Sequence, residues 1–122
     1  MTVQVIAARI DSRDPDRLDI TRKSATGIGL SFAPSWELLG PFLRRRQRTP
    51  LTTEDWAEYV KGYTAEMRRS FRKRRADWDA LLARDRVVIV CFCVDPTRCH
   101  RTILGRDILP KLGALWLGEA RR

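Results

Sequence analysis

The chain has 122 residues, 43% of them hydrophobic, and a formal net charge of +9. That length builds one hydrophobic core and is too short for two, and four Trp, four Phe and two Tyr rule out disorder as a reading of the whole chain. No apolar run approaches the length of a membrane span, so a membrane is excluded as partner and the cationic excess marks polyanions instead. Only Lys23, Lys61, Lys73 and Lys111 are lysines, and an Arg-heavy chain is also what a GC-rich genome encodes. Charge is therefore only the first mark of a nucleic-acid binder.

Residues 3–10 predict a strand, with β-branched Val3, Val5 and Ile6 in a run apolar enough for burial on both faces. Residues 11–16 are polar and contain Pro15, which predicts a turn. Residues 18–31 are rich in Thr, Ser and Gly and predict an irregular loop carrying Arg22 and Lys23. Ser35 caps a short helix whose apolar residues are Trp36, Leu38, Leu39 and Phe42. Gly40-Pro41 predicts an early end to it, so that Arg44, Arg45, Arg46 and Arg48 fall in a basic loop closed by Thr49-Pro50.

The longest helix begins at Thr52 or Thr53, where Thr52 and Asp55 have capping-box spacing. Trp56, Tyr59, Val60, Tyr63, Met67 and Phe71 step by three or four along one face, and Arg68, Arg69, Arg72, Lys73, Arg74 and Arg75 occupy the other. The pattern resumes at Trp78, Leu81 and Leu82, so one long helix and two helices joined near Lys73 fit equally. Residues 87–94 form the clearest strand, continuously apolar as a central parallel strand is. Asp95-Pro96-Thr97 predicts a turn, and residues 98–112 a helix with Ile103, Leu104, Ile108 and Leu109 on one side and a last turn distorted by Pro110. Gly113 lets the chain reverse into a short final strand at 114–117. Strands alternating with helices predict a single α/β domain over residues 1–122, with a mainly parallel central sheet and helices on both faces.

The three cysteines, Cys91, Cys93 and Cys99, fall within nine residues. An odd, crowded set is a poor disulfide framework, and residues 1–10 are too short for a secretory signal and lack a cleavage pattern. A reducing, cytoplasmic setting is expected, in which clustered thiols mean metal, redox chemistry or core packing.

The segment 91–101 runs from the carboxyl end of the best strand into a helix, the place where open α/β sheets bind ligands. Three chemistries suit its residues. The first is anion binding, with Arg98 and Arg101 as clamps, His100 as a titratable partner, Arg9 or Arg13 beside them, and Arg22 and Lys23 on a covering loop. The second is a zinc site of Cys91, Cys93, Cys99 and His100, although adjacent Cys99 and His100 diverge unless the turn is irregular. The third is thiol catalysis, with Cys99 at a helix start as nucleophile, His100 as acid or base and Arg101 favouring the thiolate. A phosphatase loop is excluded, since it needs Arg six residues after Cys and the sixth residues here are Thr97, Cys99 and Gly105. The plain alternative is that Cys91 and Cys93 are small core residues.

An apolar strand ending in Cys, an Asp-Pro turn and Cys99-His100-Arg101 opening a helix resemble the signature of the family known as domain of unknown function 488. A first strand ending at Arg9, the Phe32-Ala33-Pro34-Ser35-Trp36 element, the aromatic helix of Trp56, Tyr59 and Tyr63, and a closing strand ending at Gly118-Glu119 follow in the same order. Family members often carry an Asp two residues before that Arg; here Ala7 stands there, with Asp11-Ser12-Arg13 as the alternative equivalent. The resemblance implies a small α/β fold with a site at the strand ends, and no particular activity.

Three functions remain open on the sequence. One is a pocket for an anionic small molecule, such as a nucleotide or phosphate ester, around Cys99, His100 and Arg101. Another is a nucleic-acid-binding module using the basic runs at 44–48 and 68–75. The third is a structural zinc domain.

Overall fold

The computed structural model describes residues 2–93 and 95–120. Strands β1 (Gln4–Arg9), β2 (Arg17–Asp19), β3 (Arg86–Cys91) and β4 (Leu115–Glu119) form one sheet in the order β2-β3-β1-β4, with every neighbouring pair parallel. β3 is buried from Val87 through Cys91, which accounts for its unbroken apolar sequence: a strand paired on both edges and covered on both faces has no solvent face to make polar. β1 lies beside it in a register that sets Ala7 opposite Ile89 and Arg9 opposite Cys91.

The helices are α1 (Trp36–Arg48), α2 (Thr53–Lys73), α3 (Arg75–Leu82) and a short α4 (His100–Thr102), with a 3-10 turn (Gly27–Phe32) before α1. α4 continues through a π-helical turn (Ile103–Ile108) and a 3-10 turn (Leu109–Leu112). The wide π turn brings Gly105 against the Trp116 ring and Ile89; a Cβ at Gly105 would lie 2.4 Å from Trp116 Cζ3. The expected α/β domain with a parallel sheet is therefore the architecture of the chain.

Cover on the two faces of the sheet is unequal. Phe42, Tyr59, Tyr63, Met67, Trp78, Leu81, Ile103, Leu104 and Leu109 from the helices join Val5, Ala7, Val87 and Ile89 in one core. The other face carries a small cluster of Ala8, Val88 and Val90, flanked by Ile6 and Ile10. Helices were expected there too. No helical residue joins that cluster, and the end of the β1–β2 connection is pinned at the β2–β3 edge: the Val88 N–H donates to the Asp16 carbonyl at 3.0 Å, and Arg86 pairs with Asp14 at 2.8 Å and Asp16 at 3.0 Å. Residues 10–16 are too few for a crossover helix, which takes a dozen or more.

Several local expectations are corrected. α1 runs through Gly40-Pro41, so Arg44 to Arg48 are helical and form no loop. Ser35 caps α1 by accepting from the Leu38 N–H. Loss of the Pro41 donor is offset by burial of Phe42, whose ring lies 4.3 Å from that of Tyr59. β2 overlaps the start of the segment expected to be loop; its three residues pair with Val88, Ile89 and Val90, too short a run to show a period. β3 ends at Cys91 and not at residue 94, because β1 offers no partner beyond Arg9 save the Ile10 N–H; Val94 lies outside the described residues. The long helical pattern is two helices broken at Arg74 (φ −122°, ψ 38°), and the Thr52–Asp55 capping box is formed in both directions. The final strand spans Leu115–Glu119, slightly later than expected.

Candidate functional site

Beyond Cys91 the chain leaves the sheet and folds back on itself. The Asp95 carboxylate accepts from the Thr97 N–H at 2.9 Å and the Thr97 hydroxyl at 2.6 Å, and Pro96 opens a 3-10 turn (Pro96–Arg98). The Thr102 hydroxyl donates to the Pro96 carbonyl at 2.5 Å, tying the turn to α4. This reversal returns Cys99 to the end of β3. The Sγ atoms of Cys91, Cys93 and Cys99 all lie within 4.8 Å of one another, a grouping that could hold a metal ion.

Arg101 is the cation of this cluster. It is 1% exposed; its Nη1 donates to Cys91 Sγ at 3.0 Å, Cys99 Sγ at 3.4 Å and the Cys93 carbonyl at 2.7 Å. Its Nε pairs with Glu119 at 2.7 Å. Burial opposes its charge, but the Cys91 and Cys99 sulfurs and Glu119 hold the guanidinium protonated above its ordinary range. Arg101 thus faces sulfur and carboxylate, where the sequence reading had it clamp a ligand.

The three thiols titrate as a unit. Hydrogen bonds from the Cys91 thiol, then from Cys99, hold Cys93 well below the ordinary thiol range, against the cost of burial. Cys91 is pushed up to about 11, chiefly by its hydrogen bond to Cys93, and burial pushes Cys99 up. Cys93 is thus the thiol held toward its thiolate, and it is the half-buried member of the three. His100 is buried, and desolvation lowers its pKa. Its Nε2 lies 2.8 Å from the Ile20 carbonyl, which only accepts, so Nε2 carries the proton and Nδ1 faces Cys99 Sγ at 3.9 Å with a free lone pair.

These groups open onto a cleft of about 320 Å³. Cys93, Cys99 and His100 form its inner end, and Trp36, Phe42, Tyr59 and Phe92 supply aromatic walls. Four cations line it: Arg22, Lys23, Arg46 and Arg98. Arg22 donates to the Pro34 carbonyl at 2.8 Å and the Ala33 carbonyl at 3.2 Å, and Arg98 to the Leu51 and Thr52 carbonyls at 3.2 Å, so both hold the surrounding loops in place. Lys23 Nζ lies 5.7 Å from the centre of the Phe92 ring. Arg46 is exposed and makes no ion pair or hydrogen bond among the described residues.

Of the anion-binding residues expected from the sequence, Arg22, Lys23 and Arg98 therefore line the cleft, whereas Arg9, Arg13 and Arg101 do not. Of the proposed zinc ligands, the mutually close set comprises the three sulfurs without His100. The sequence reading missed Arg46, Trp36, Phe42, Tyr59 and Phe92 as site residues. A signal existed: Trp36, Leu39, Leu43 and Arg46 recur at helical spacing, which shows only once α1 is carried through Pro41. The two basic runs sit toward opposite ends of α2. Arg45 pairs with Asp55 at 2.6 Å near its start, and Arg68 follows Glu58 by ten residues, about 15 Å of helix.

No helix among the described residues is long and apolar enough to cross a membrane. Residues 9–113 match the family model DUF488-N3a, described as the active DUF488-N3 subclade. No curated protein and no solved structure matches the chain.

Proposed function

The chain belongs to the DUF488-N3a family, and from that premise we propose that it binds an anionic small molecule, a nucleotide or phosphate ester, in the cleft beside α1 and processes it with the Cys93 sulfur. The observation that carries this reading is the convergence on one cleft of four cations, four aromatic rings and a half-buried cysteine held toward its thiolate. Aromatic walls suit a flat ring, and unpaired Arg46 and Lys23 suit phosphate oxygens. The matched subclade's description as active supports catalysis over binding alone.

In this reading Cys93 takes the role that sequence spacing gave to Cys99, which is 1% exposed. The Cys93 thiolate attacks an electrophilic carbon or phosphorus, the leaving group departs with its electron pair, and water then releases the adduct and restores the thiolate. Arg101 and the two sealed thiols keep the negative charge in place between turnovers. His100 positions Cys99 through Nδ1, since its Nε2 proton is committed to Ile20.

Thermal unfolding across a panel of nucleoside phosphates and sugar phosphates tests this. At least one anion should raise the melting temperature in proportion to the logarithm of its concentration, and Arg46→Ala should abolish the shift. A panel with no stabilising member, or shifts that survive Arg46→Ala combined with Lys23→Ala, would refute it.

A second reading rests on the sulfur geometry alone. Zinc at about 2.3 Å from each sulfur sets tetrahedral sulfurs about 3.8 Å apart, so a cluster already within 4.8 Å needs only a small contraction. Cys91, Cys93 and Cys99 would hold the ion, with Arg101 balancing the third thiolate and the fourth position open to His100 Nδ1 or the cleft. Against it, Arg101 already supplies a cation to Cys91 and Cys99.

A further inference from the structure

The sulfur cluster also has a chemistry that needs no ligand in the cleft. The three thiols are free, and they differ in access. Cys93 and Cys99 both line the cleft, but Cys93 is half-buried, whereas Cys99 behind it and Cys91 are closed to solvent, at 1% and 0% exposure. They differ also in how firmly the backbone holds them. Cys91 ends β3, paired with Arg9, and its carbonyl accepts the Ile10 N–H at 2.9 Å. Cys93 and Cys99 lie outside the sheet, on either side of the Pro96–Arg98 turn, with Cys99 in extended backbone.

These differences select one pair. A Cys91–Cys93 bridge is disfavoured, since a single residue separates the two and Cys91 is fixed by its ladder, which leaves the backbone little freedom to reach disulfide geometry. A Cys91–Cys99 bridge has no accessible sulfur at which an oxidant can begin. Only Cys93 with Cys99 joins a reachable sulfur to a neighbour waiting behind it, across a turn whose backbone is not locked into the sheet.

We propose that Cys93 is a site of reversible oxidation by hydroperoxides, with Cys99 as its resolving thiol. In the first step the Cys93 sulfur attacks a peroxide oxygen: an S–O bond forms, the O–O bond breaks, and the remaining oxygen leaves with a proton as water or alcohol. Sulfur is oxidised by two electrons and the peroxide is reduced by two. Next the Cys99 sulfur attacks Cys93, the S–S bond forms, the S–O bond breaks, and hydroxide departs as water with the Cys99 proton. A dithiol reverses the bridge by exchange. The bridge removes the reachable sulfur from the cleft and takes one of the two sulfurs that Arg101 Nη1 contacts, so the oxidised chain is inert toward thiol reagents.

The chain, treated with a chelator and then freed of reductant, is exposed to hydrogen peroxide and read by intact mass and peptide mapping. The expected result is loss of two hydrogens, a peptide linking Cys93 to Cys99, and recovery with dithiothreitol. Cys93→Ser should form no bridge at the same dose, and Cys91→Ser should still yield the peptide linking Cys93 to Cys99. Cys99→Ser should stop at the Cys93 sulfenic acid, trapped by dimedone. A parent linkage through Cys91, bridge formation in Cys93→Ser at the parent rate, or thiols untouched at a dose that oxidises free cysteine would overturn the proposal. The parent map and Cys91→Ser decide it even where Cys99→Ser fails to fold. All these readings are independent of anion binding, so the oxidation can fail while the ligand reading stands, and the reverse.

Discussion

The Arg101 guanidinium lies 3.0 Å from the Cys91 sulfur while its Nε holds Glu119 at 2.7 Å. One buried cation thus joins the end of β3 to the end of β4 and sets its charge against the Cys91 and Cys99 sulfurs. Its removal takes from Glu119 its ion-pair partner and from Cys91 and Cys99 a shared donor. Arg101→Met should cost about 1–3 kcal/mol of stability, the scale of losing hydrogen bonds from a charged group whose carboxylate partner Glu119 keeps access to water. Urea unfolding measures it, and a loss below about 1 kcal/mol would show the contact to be incidental.

The Cys93 thiol is held below its ordinary range, chiefly by the Cys91 hydrogen bond and then by Cys99. A lowered pKa means that the thiolate is already formed at pH values where a free thiol is protonated. The rate of Cys93 alkylation by iodoacetamide should therefore be nearly flat from about pH 6 upward, where an ordinary cysteine rises until about pH 8.5. Cys91→Ala, which removes the leading hydrogen bond, should move the rise toward the ordinary value. A parent profile that climbs tenfold per pH unit through the neutral range would contradict the charge assignment.

Pro41 sits in the second turn of α1 and cannot donate to the Glu37 carbonyl. Pro41→Ala restores that donor and should stabilise the chain, by up to about 3 kcal/mol. Gly105→Ala should do the opposite and lose about 1–3 kcal/mol, because its Cβ would meet the Trp116 ring at 2.4 Å. Thermal and urea unfolding of both variants check the signs.

These positions show what the sequence made legible. β1 and β3 stand out because burial on two faces writes itself as an unbroken apolar run, and segment 91–101 stands out because strand end, turn and helix start coincide there. Pro41 misleads because propensity weighs its missing donor and not the packing of Phe42 against Tyr59 that outweighs it. With α1 cut short, Arg46 falls into a basic run rather than onto a cleft wall. The inward turn of Arg101 depends on Glu119, eighteen residues away on β4, and no local pattern encodes that meeting. The exchange of roles between Cys93 and Cys99 depends on burial and on the hydrogen bonds among the three thiols, which spacing does not report.

Zinc content separates the two readings of the sulfur cluster. With Arg101 as the cluster's cation, the chain should keep its melting temperature after chelator treatment and carry no stoichiometric zinc. About one zinc per chain, lost together with the fold on chelation or in Cys99→Ser, would establish the metal reading instead.

The most direct test of the ligand reading is the rate of Cys93 alkylation with and without a saturating nucleoside or sugar phosphate. An anion seated on Arg46 and Lys23 covers the Cys93 sulfur, so the rate should fall at least tenfold in the parent chain and stay unchanged in Arg46→Ala. An alkylation rate indifferent to every phosphate tested would contradict the assignment of this cleft as the anion site.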